Sequence, residues 1–472
     1  MGGYCKTFFS VWVLVCFMFL APNAQGMSTF IPGAHDVEVA QYDDLTTNHP
    51  EINKAFLGSL RGEGRNFSDW DENGKSSKPA WTIPQAKVPG IQINGIFGDS
   101  HFVIRIPDNW NGKLVVGAPG GTGSELSADS RLSDFILTKF DANGASYAYA
   151  YTDKGARGEI IPSPDGKIRR NWRARTAFLA PEDSIEKWNS RMRELTIATK
   201  EVLVKMKGKK PIRTYISGQS NGGYVTRYAL ENSGELYDGG IDWEGVLWTP
   251  EVNNISIKVD QYHNWKIIRD PKASAEEKAV ARQKYGLPPA SDFLMINEYK
   301  DGKDLLPDSL RVKYDPGYKH RDWWEYGKYP EDYETYNWHE RPASVKKSIE
   351  KFALTGKIKK PMISLAGTWD VQINPIYNAV GYDTMIKGQG QGGNHRLYLI
   401  EHANHTDGIV GDPKVDSGKQ LQAILPYSHQ AFDLLVDWVE NGNEPPASKT
   451  IGMPQEKGKV IDIKTDQEVA PY

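Results

Sequence analysis

The stretch Ile216-Ser217-Gly218-Gln219-Ser220-Asn221-Gly222-Gly223-Tyr224 constrains the fold more than any other part of the chain. It places Gly218-x-Ser220-x-Gly222 between a strand-like Arg213-Thr214-Tyr215-Ile216 and a helix-compatible run, Tyr224-Val225-Thr226-Arg227-Tyr228-Ala229-Leu230. Strand, G-x-S-x-G, then helix is the context of a nucleophile elbow. Such a turn is so sharp that the serine backbone is strained and its hydroxyl stands above the sheet edge. Residues two before and two after crowd the neighbouring strand and helix, where a side chain would clash, so both are glycine. A Gly/Ser/Asn surface loop accounts for the composition but not for the flanks. The expectation is a serine hydrolase.

Residues 1–26 read as a secretory signal peptide rather than as part of the fold. Lys6 forms a minimal positive region, Thr7 to Ala21 is apolar, and Ala24-Gln25-Gly26 offers a small-x-small cleavage site. The apolar run is shorter than the roughly 20 residues a membrane span needs. Removal of the leader predicts a secreted or periplasmic protein that no membrane retains. Cys5 and Cys16 both lie in the leader, so the remaining chain has no disulfide framework and no thiolate chemistry. Losing Lys6 takes the formal charge from −3 to −4, a balance that points to no nucleic-acid partner.

Residues 27–90 read as an irregular N-terminal segment. Strand patterns begin at Ile91–Gly98 and His101–Pro107, then recur at Lys113–Ala118 and Ala145–Tyr151. The strongest helix follows, with Asp183 as candidate cap, Ile185, Trp188, Met192, Leu195, Val202 and Met206 on one face, and Gly208 as its stop. After the elbow strand another strand is expected at Gly245–Thr249. Residues 251–354, rich in Trp, Tyr, Lys and Asp, break the rhythm with two helix-like patches. Strands return at Lys360–Gly367 and His395–Glu401, and an amphipathic helix through His429–Val439 closes the chain. Alternating strands and helices predict a mostly parallel α/β sheet, with a core over 91–250 and 355–472 split by the insertion.

A serine hydroxyl needs a base, and the base needs an acid to hold one tautomer. On a sheet of this type the partners follow in the order Ser, Asp/Glu, His, on loops after later strands. Gly367-Thr368-Trp369-Asp370 ends a buried strand and offers Asp370 as the acid; as a turn or cap residue it would serve structure instead. Asp407 and Glu401 are the fallbacks. His402 and His405 both follow the last strand, and His405 leaves the longer reach from the strand tip to the serine. Neither a ligating helix nor a third ligand accompanies this His-x-x-His spacing, so no metal is expected, nor any cofactor. His429 reads as a helix-start residue. The oxyanion needs backbone donors. Asn221 supplies one and the glycine-rich loop Gly117–Ser124 the other, at Gly120 or Gly121. That loop lacks the Gly-Lys-Ser/Thr ending and the G-x-G-x-x-G frame of a nucleotide cradle.

The order Gly-Gly loop, G-x-S-x-G, Asp370 and His405 resembles the α/β-hydrolase superfamily. Trp110-Asn111-Gly112-Lys113 and the ending Trp438-Val439-Glu440-Asn441-Gly442-Asn443-Glu444-Pro445-Pro446 resemble secreted tannases and feruloyl esterases. Arg396-Leu397-Tyr398 through His405-Thr406-Asp407 is similar to secreted hydrolases of hydroxyalkanoate oligomers. Both resemblances imply His405 as base and a lid between the sixth and seventh strands. Tannases usually hold a disulfide beside the catalytic serine and histidine, from which this chain departs.

Loops at this end of such a sheet carry function. Aromatic residues of 251–354, Trp323, Trp324 and Trp338 among them, are expected to line a cleft for an acyl chain or aromatic ring, or else to pack the insertion onto the core. The expected partner is a small-molecule or oligomeric ester, phenolic esters and polyester oligomers included. Gly-x-Ser-Asn-Gly-Gly also resembles the elbow of prolyl-oligopeptidase relatives, which makes a serine peptidase the alternative. A catalytically dead copy used for binding has no need to keep serine, acid, base and Gly-Gly loop together.

Overall fold

Leu114, Val115 and Val116 are successive residues of one strand, and all three are fully buried. Neighbours in a strand face opposite sides of the sheet, so burial of every one means that both faces are covered. Leu114 and Val116 enter one apolar core and Val115 the other. The computed structural model of the protein describes residues 31–58, 69–70, 75–77, 82–121, 123–156, 161–162, 168–169, 183–319, 329–456 and 459–465. The leader therefore lies outside the described residues.

The ten strands of the main sheet are β1 (Ala34–Tyr42), β2 (Gly90–Phe97), β3 (Ser100–Pro107), β4 (Trp110–Ala118), β5 (Ser146–Thr152), β6 (Arg213–Gln219), β7 (Gly239–Trp243), β8 (Met362–Gly367), β9 (His395–Ile400) and β10 (Lys449–Ile451). Their spatial order is β1-β2-β3-β5-β4-β6-β7-β8-β9-β10. The first three pair antiparallel and β3 meets β5 antiparallel, while every pair from β5 onward is parallel. This order, with the elbow strand β6 between β4 and β7, defines the α/β-hydrolase fold.

Helices cover both faces. α1 (Ile185–Lys207) and α2 (Asn221–Asn232) pack with Ile216 and Leu114 on one side. α5 (Leu425–Asn441) packs Ala431, Phe432 and Leu435 against Val115, Tyr215 and Ile241 on the other. Ser184, not Asp183, caps α1 by accepting from the Lys187 N–H, and Gly208 closes it with φ +73°. Asp183 instead pairs with the Lys187 ammonium at 2.9 Å.

Two expectations change. Residues 34–42 are not irregular: the alternation in Ala-His-Asp-Val-Glu-Val-Ala-Gln-Tyr adds β1 to the sheet edge. The strand expected at Gly245–Thr249 is Gly239–Trp243, and Gly245–Thr249 keeps only the isolated bridge Trp248↔Asn253. Two glycines and a buried aspartate hid it. A Cβ at Gly239 would lie 3.1 Å from Leu435 and Val439 on α5, and one at Gly240 2.9 Å from Ile216 and Leu230. The glycines allow close packing on both faces.

The insertion leaves the sheet after β7 and returns at β8, the sixth and seventh strands if β1 is set aside. Its main helices are α3 (Asn254–Arg269) and α4 (Ala275–Tyr285), each opened by a capping box, Asn253 with Ser256 and Ser274 with Glu277. Val259, Tyr262, Leu310, Tyr333 and Tyr336 belong to the same core as the α1 face of the sheet. The described insertion is thus an extension of the fold. No helix among the described residues is long and apolar enough to cross a membrane.

Candidate active site

Ser220 stands between the last residue of β6 and the first of α2, with φ 57° and ψ −119°. That conformation is costly for a residue with a Cβ and persists only where surroundings enforce it. Its N–H donates to Trp243 O at 3.0 Å, and its carbonyl accepts from Tyr224 and Val246 N–H groups at 3.0 and 3.2 Å. A Cβ at Gly218 would fall 2.3 Å from Gly222 O, and one at Gly222 2.1 Å from Ala118 O. Only glycine fits either place. The elbow is 6% exposed at Ser220.

Asp370 leaves the end of β8 and His405 the loop after β9, with side chains 0% and 6% exposed. His405 Nδ1 lies 2.8 Å from Asp370 Oδ2. Asp370 Oδ1 meanwhile accepts the Gln372 and Ile373 N–H groups at 2.9 and 2.7 Å. The carboxylate therefore acts as turn residue and as partner of the imidazole at once. One oxygen fixes the group, and the other is left to orient the ring.

The other candidates hold structural places. Asp407 accepts the Ile424 and Leu425 N–H groups at the start of α5. Glu401 accepts from Met453 N–H. His402 stacks on Trp369 at 3.7 Å and faces Gln420 O. His429 lies within α5, half-buried and stacked on Phe135.

Gln219, the residue before the serine, joins the pieces. Its Oε1 accepts from Arg131 Nη1 at 2.6 Å, and its Nε2 lies 3.0 Å from both Glu244 Oε2 and His405 O. The His405 loop is thereby tied to the elbow itself. Glu244, 1% exposed, follows β7 and places Oε2 3.6 Å from His405 Nδ1. Donor atoms of Glu244, Asp370 and His405 all fall within 4.8 Å of one another. Burial, then the charge of Asp370, pushes the Glu244 carboxyl well above the usual range. Nothing in Trp243-Glu244-Gly245 signalled this in the sequence, because contact with His405 depends on strand adjacency.

Gly120 backs onto the elbow: a Cβ there would lie 2.9 Å from Ser220 Cβ. Gly121 adopts φ 49°. Asn221 opens α2, so its N–H has no intrahelical acceptor. Behind the glycines sits Lys154, fully buried, with Nζ donating to Pro119 O at 2.9 Å and Gly121 O at 2.6 Å. A trans peptide points its C=O and N–H in opposite directions. Holding Pro119 O toward Lys154 therefore turns the Gly120 N–H the other way. Lys154 was missed in the sequence, where Thr152-Asp153-Lys154-Gly155 reads as an ordinary strand exit.

Trp338 is a correction. It is fully buried, and its Nε1 donates to Pro250 O at 2.9 Å, so it packs the insertion onto the core instead of lining a cleft. Trp323 and Trp324 lie outside the described residues. The insertion does approach the Asp370 loop through α3, where Gln261 Nε2 donates to Val371 O at 3.2 Å. Lys258, one turn earlier, is buried, which pushes its ammonium down to about 8 against the opposing charge of Asp370.

A second Ser-His-Asp set is a decoy. His395 lies 2.9 Å from both Ser364 Oγ and Asp383 Oδ1. Ser364 sits inside β8, fully buried, and also contacts Asp242 at 2.9 Å. It has no elbow, so it works as core polar wiring.

The sheet order and the elbow thus define an α/β-hydrolase-fold chain. No protein-family model matches the chain, and no curated protein does. Among solved structures, feruloyl esterase B from Aspergillus oryzae is similar at 12% identity, over 88% of this chain and 89% of that one, with a TM-score of 0.48. Tannin acyl hydrolase from Aspergillus niger is 14% identical over 88% and 85%, with a TM-score of 0.44. Acylaminoacyl peptidase from Pyrococcus horikoshii is 12% identical over 71% and 39%, with a TM-score of 0.37. At these identities and scores none of the three speaks to what this chain acts on.

Proposed function

We propose that the chain is a serine hydrolase of carboxylic esters, working through an acyl-enzyme on Ser220. The observation that carries the reading is His405, hydrogen-bonded to Asp370 at 2.8 Å while Gln219 holds its loop against the elbow. In this mechanism Ser220 Oγ attacks the ester carbonyl carbon and passes its proton to His405 Nε2. Asp370 fixes Nδ1–H and stabilises the imidazolium that forms. The carbonyl oxygen takes up the negative charge beside the N–H groups of Asn221 and of Gly120 or Gly121. Collapse expels the alcohol, which takes the proton from His405. Water, deprotonated by the same histidine, then attacks the acyl carbon and releases the acid and Ser220.

The preference for esters rests on the resemblance of the Trp110-Asn111-Gly112-Lys113 and Gly-Gly segments to tannases and feruloyl esterases. That resemblance supports phenolic esters as substrates, the likeness of Arg396-Leu397-Tyr398 through His405-Thr406-Asp407 supports hydroxyalkanoate oligomers, and the leader supports action outside the cytoplasm. A panel of p-nitrophenyl esters and dipeptide anilides, run on the wild type and on Ser220→Ala, tests the reading. Ester turnover that is lost in Ser220→Ala is the expected result. Turnover that survives removes the mechanism, and preference for anilides replaces the esterase with a peptidase.

A further inference from the structure

We propose that Glu244 is a second acid for His405, a positioning residue that shares the imidazole with Asp370 and holds it when Asp370 is removed. The proposal rests on the reading of His405 as base. The two carboxyls reach one ring from different strands: Asp370 from the end of β8, at 2.8 Å from Nδ1, and Glu244 from the end of β7, at 3.6 Å from the same nitrogen. Strands β7 and β8 are adjacent and parallel, so their C-terminal ends open side by side. Two positions on this sheet can therefore deliver an acid to the same base, and both are filled.

The backbone at Glu244 is a second, independent sign. It adopts φ 51°, a conformation that favours glycine, although Gly245 follows directly. Its N–H is fixed by Leu365 O at 2.7 Å. A side chain kept at a strained position beside a base points to a role for that side chain. Gln219 holds Oε2 in place, and Oε1 has no hydrogen-bond partner. A carboxyl filling space in the core would not need to face an imidazole.

Charge decides how the pair behaves. Two carboxylates this close cannot both ionise cheaply, so they divide their protons unequally. Asp370 accepts two backbone N–H groups besides its contact with His405, and Glu244 Oε2 accepts from Gln219. Glu244 faces Asp370 and Asp407, which disfavour its charge, and Arg131, which favours it; Tyr299 also lies in its field. In the resting site burial, then the neighbouring Asp370, holds Glu244 toward its protonated form. Removing Asp370 removes the nearest negative charge, and Glu244 then ionises and takes Nδ1–H.

The test compares Asp370→Ala, Glu244→Gln and the double variant by pH-rate profiles on a p-nitrophenyl ester. Loss of a triad acid with no substitute costs about 10^4-fold in kcat. Asp370→Ala is expected to lose about 10^2-fold, with activity recovering toward high pH. Adding Glu244→Gln should remove about another tenfold to hundredfold and abolish that recovery. Glu244→Gln alone should lower kcat a few-fold. Single and double variants with the same activity at every pH overturn the proposal. Wild type and Ser220→Ala with the same turnover overturn instead the underlying reading, so the two failures are distinct. Should Asp370→Ala not fold, the low-field proton NMR signal of His405 Nδ1–H decides. It should move with the ionisation of Glu244 in the wild type and stay still in Glu244→Gln; a signal that titrates identically in both overturns the proposal.

Discussion

The ammonium of Lys154 donates to the carbonyl of Pro119 at 2.9 Å, which clamps from behind the peptide that carries the Gly120 N–H. A second bond to Gly121 O at 2.6 Å fixes the next turn of the loop. Lys154→Met keeps length and apolar bulk but frees both carbonyls. Removing an oxyanion donor outright costs about 10^2–10^3-fold in kcat, and a donor left mobile should cost about 10–10^2-fold. Steady-state kinetics of ester cleavage should show the loss in kcat with KM little changed. A change in KM alone would refute the clamp.

On the proposed mechanism the φ of 57° at Ser220 serves the nucleophile at a cost in stability. Ser220→Gly should therefore raise the unfolding free energy by about 1 kcal/mol while abolishing ester turnover. Urea denaturation monitored by tryptophan fluorescence measures the first, and ester assays the second. A less stable glycine variant would contradict the strain.

Trp338 carries structure. Trp338→Ala should cost about 3–5 kcal/mol by leaving a cavity where the insertion meets the core. KM across an ester series, measured on the folded fraction, should move less than twofold. A selective loss toward aromatic esters with stability intact would return Trp338 to the cleft.

His429 predicts a pH effect on stability. Burial, opposed by the hydrogen bond to Arg131 O, pushes its imidazole down to about 4. The unfolded group binds its proton near 6.5, so between about 6.5 and 4 the unfolded state takes up more protons than the folded one. Stability present above 6.5 is thus lost as pH falls toward 4, by up to about 3 kcal/mol from this residue. Asp134 opposes it, because burial raises its carboxyl to about 7 and favours the fold at lower pH. The difference between wild type and His429→Gln across this range isolates the histidine. A constant difference would refute the assignment.

Much of this was legible in the chain. Gly218-x-Ser220-x-Gly222 between strand and helix identified the elbow, because only glycine tolerates an approach of 2.1 to 2.3 Å from backbone oxygens. Asp370 and His405 were legible because each follows an apolar strand, and strand ends in a parallel sheet share one edge. β7 was not legible, since Gly239, Gly240 and Asp242 carry no apolar alternation. Asp242 is buried with Arg227 at 2.6 Å from the facing helix and Ser364 at 2.9 Å from β8. Trp338 and its neighbours could be read as cleft or as core, since an aromatic side chain suits both.

The sequence by itself determined most of the strands and helices and the elbow turn at Ser220, because hydrophobic period and glycine placement act within a few residues. Only the tertiary structure decided which groups surround His405 and the Gly120-Gly121 loop. Gln219, Glu244, Lys154 and Arg131 come from four separate segments, and their roles follow from distances of about 3 Å across strands. Those distances are set by how the sheet pairs and by which charges it buries together, and no local pattern in the chain encodes them.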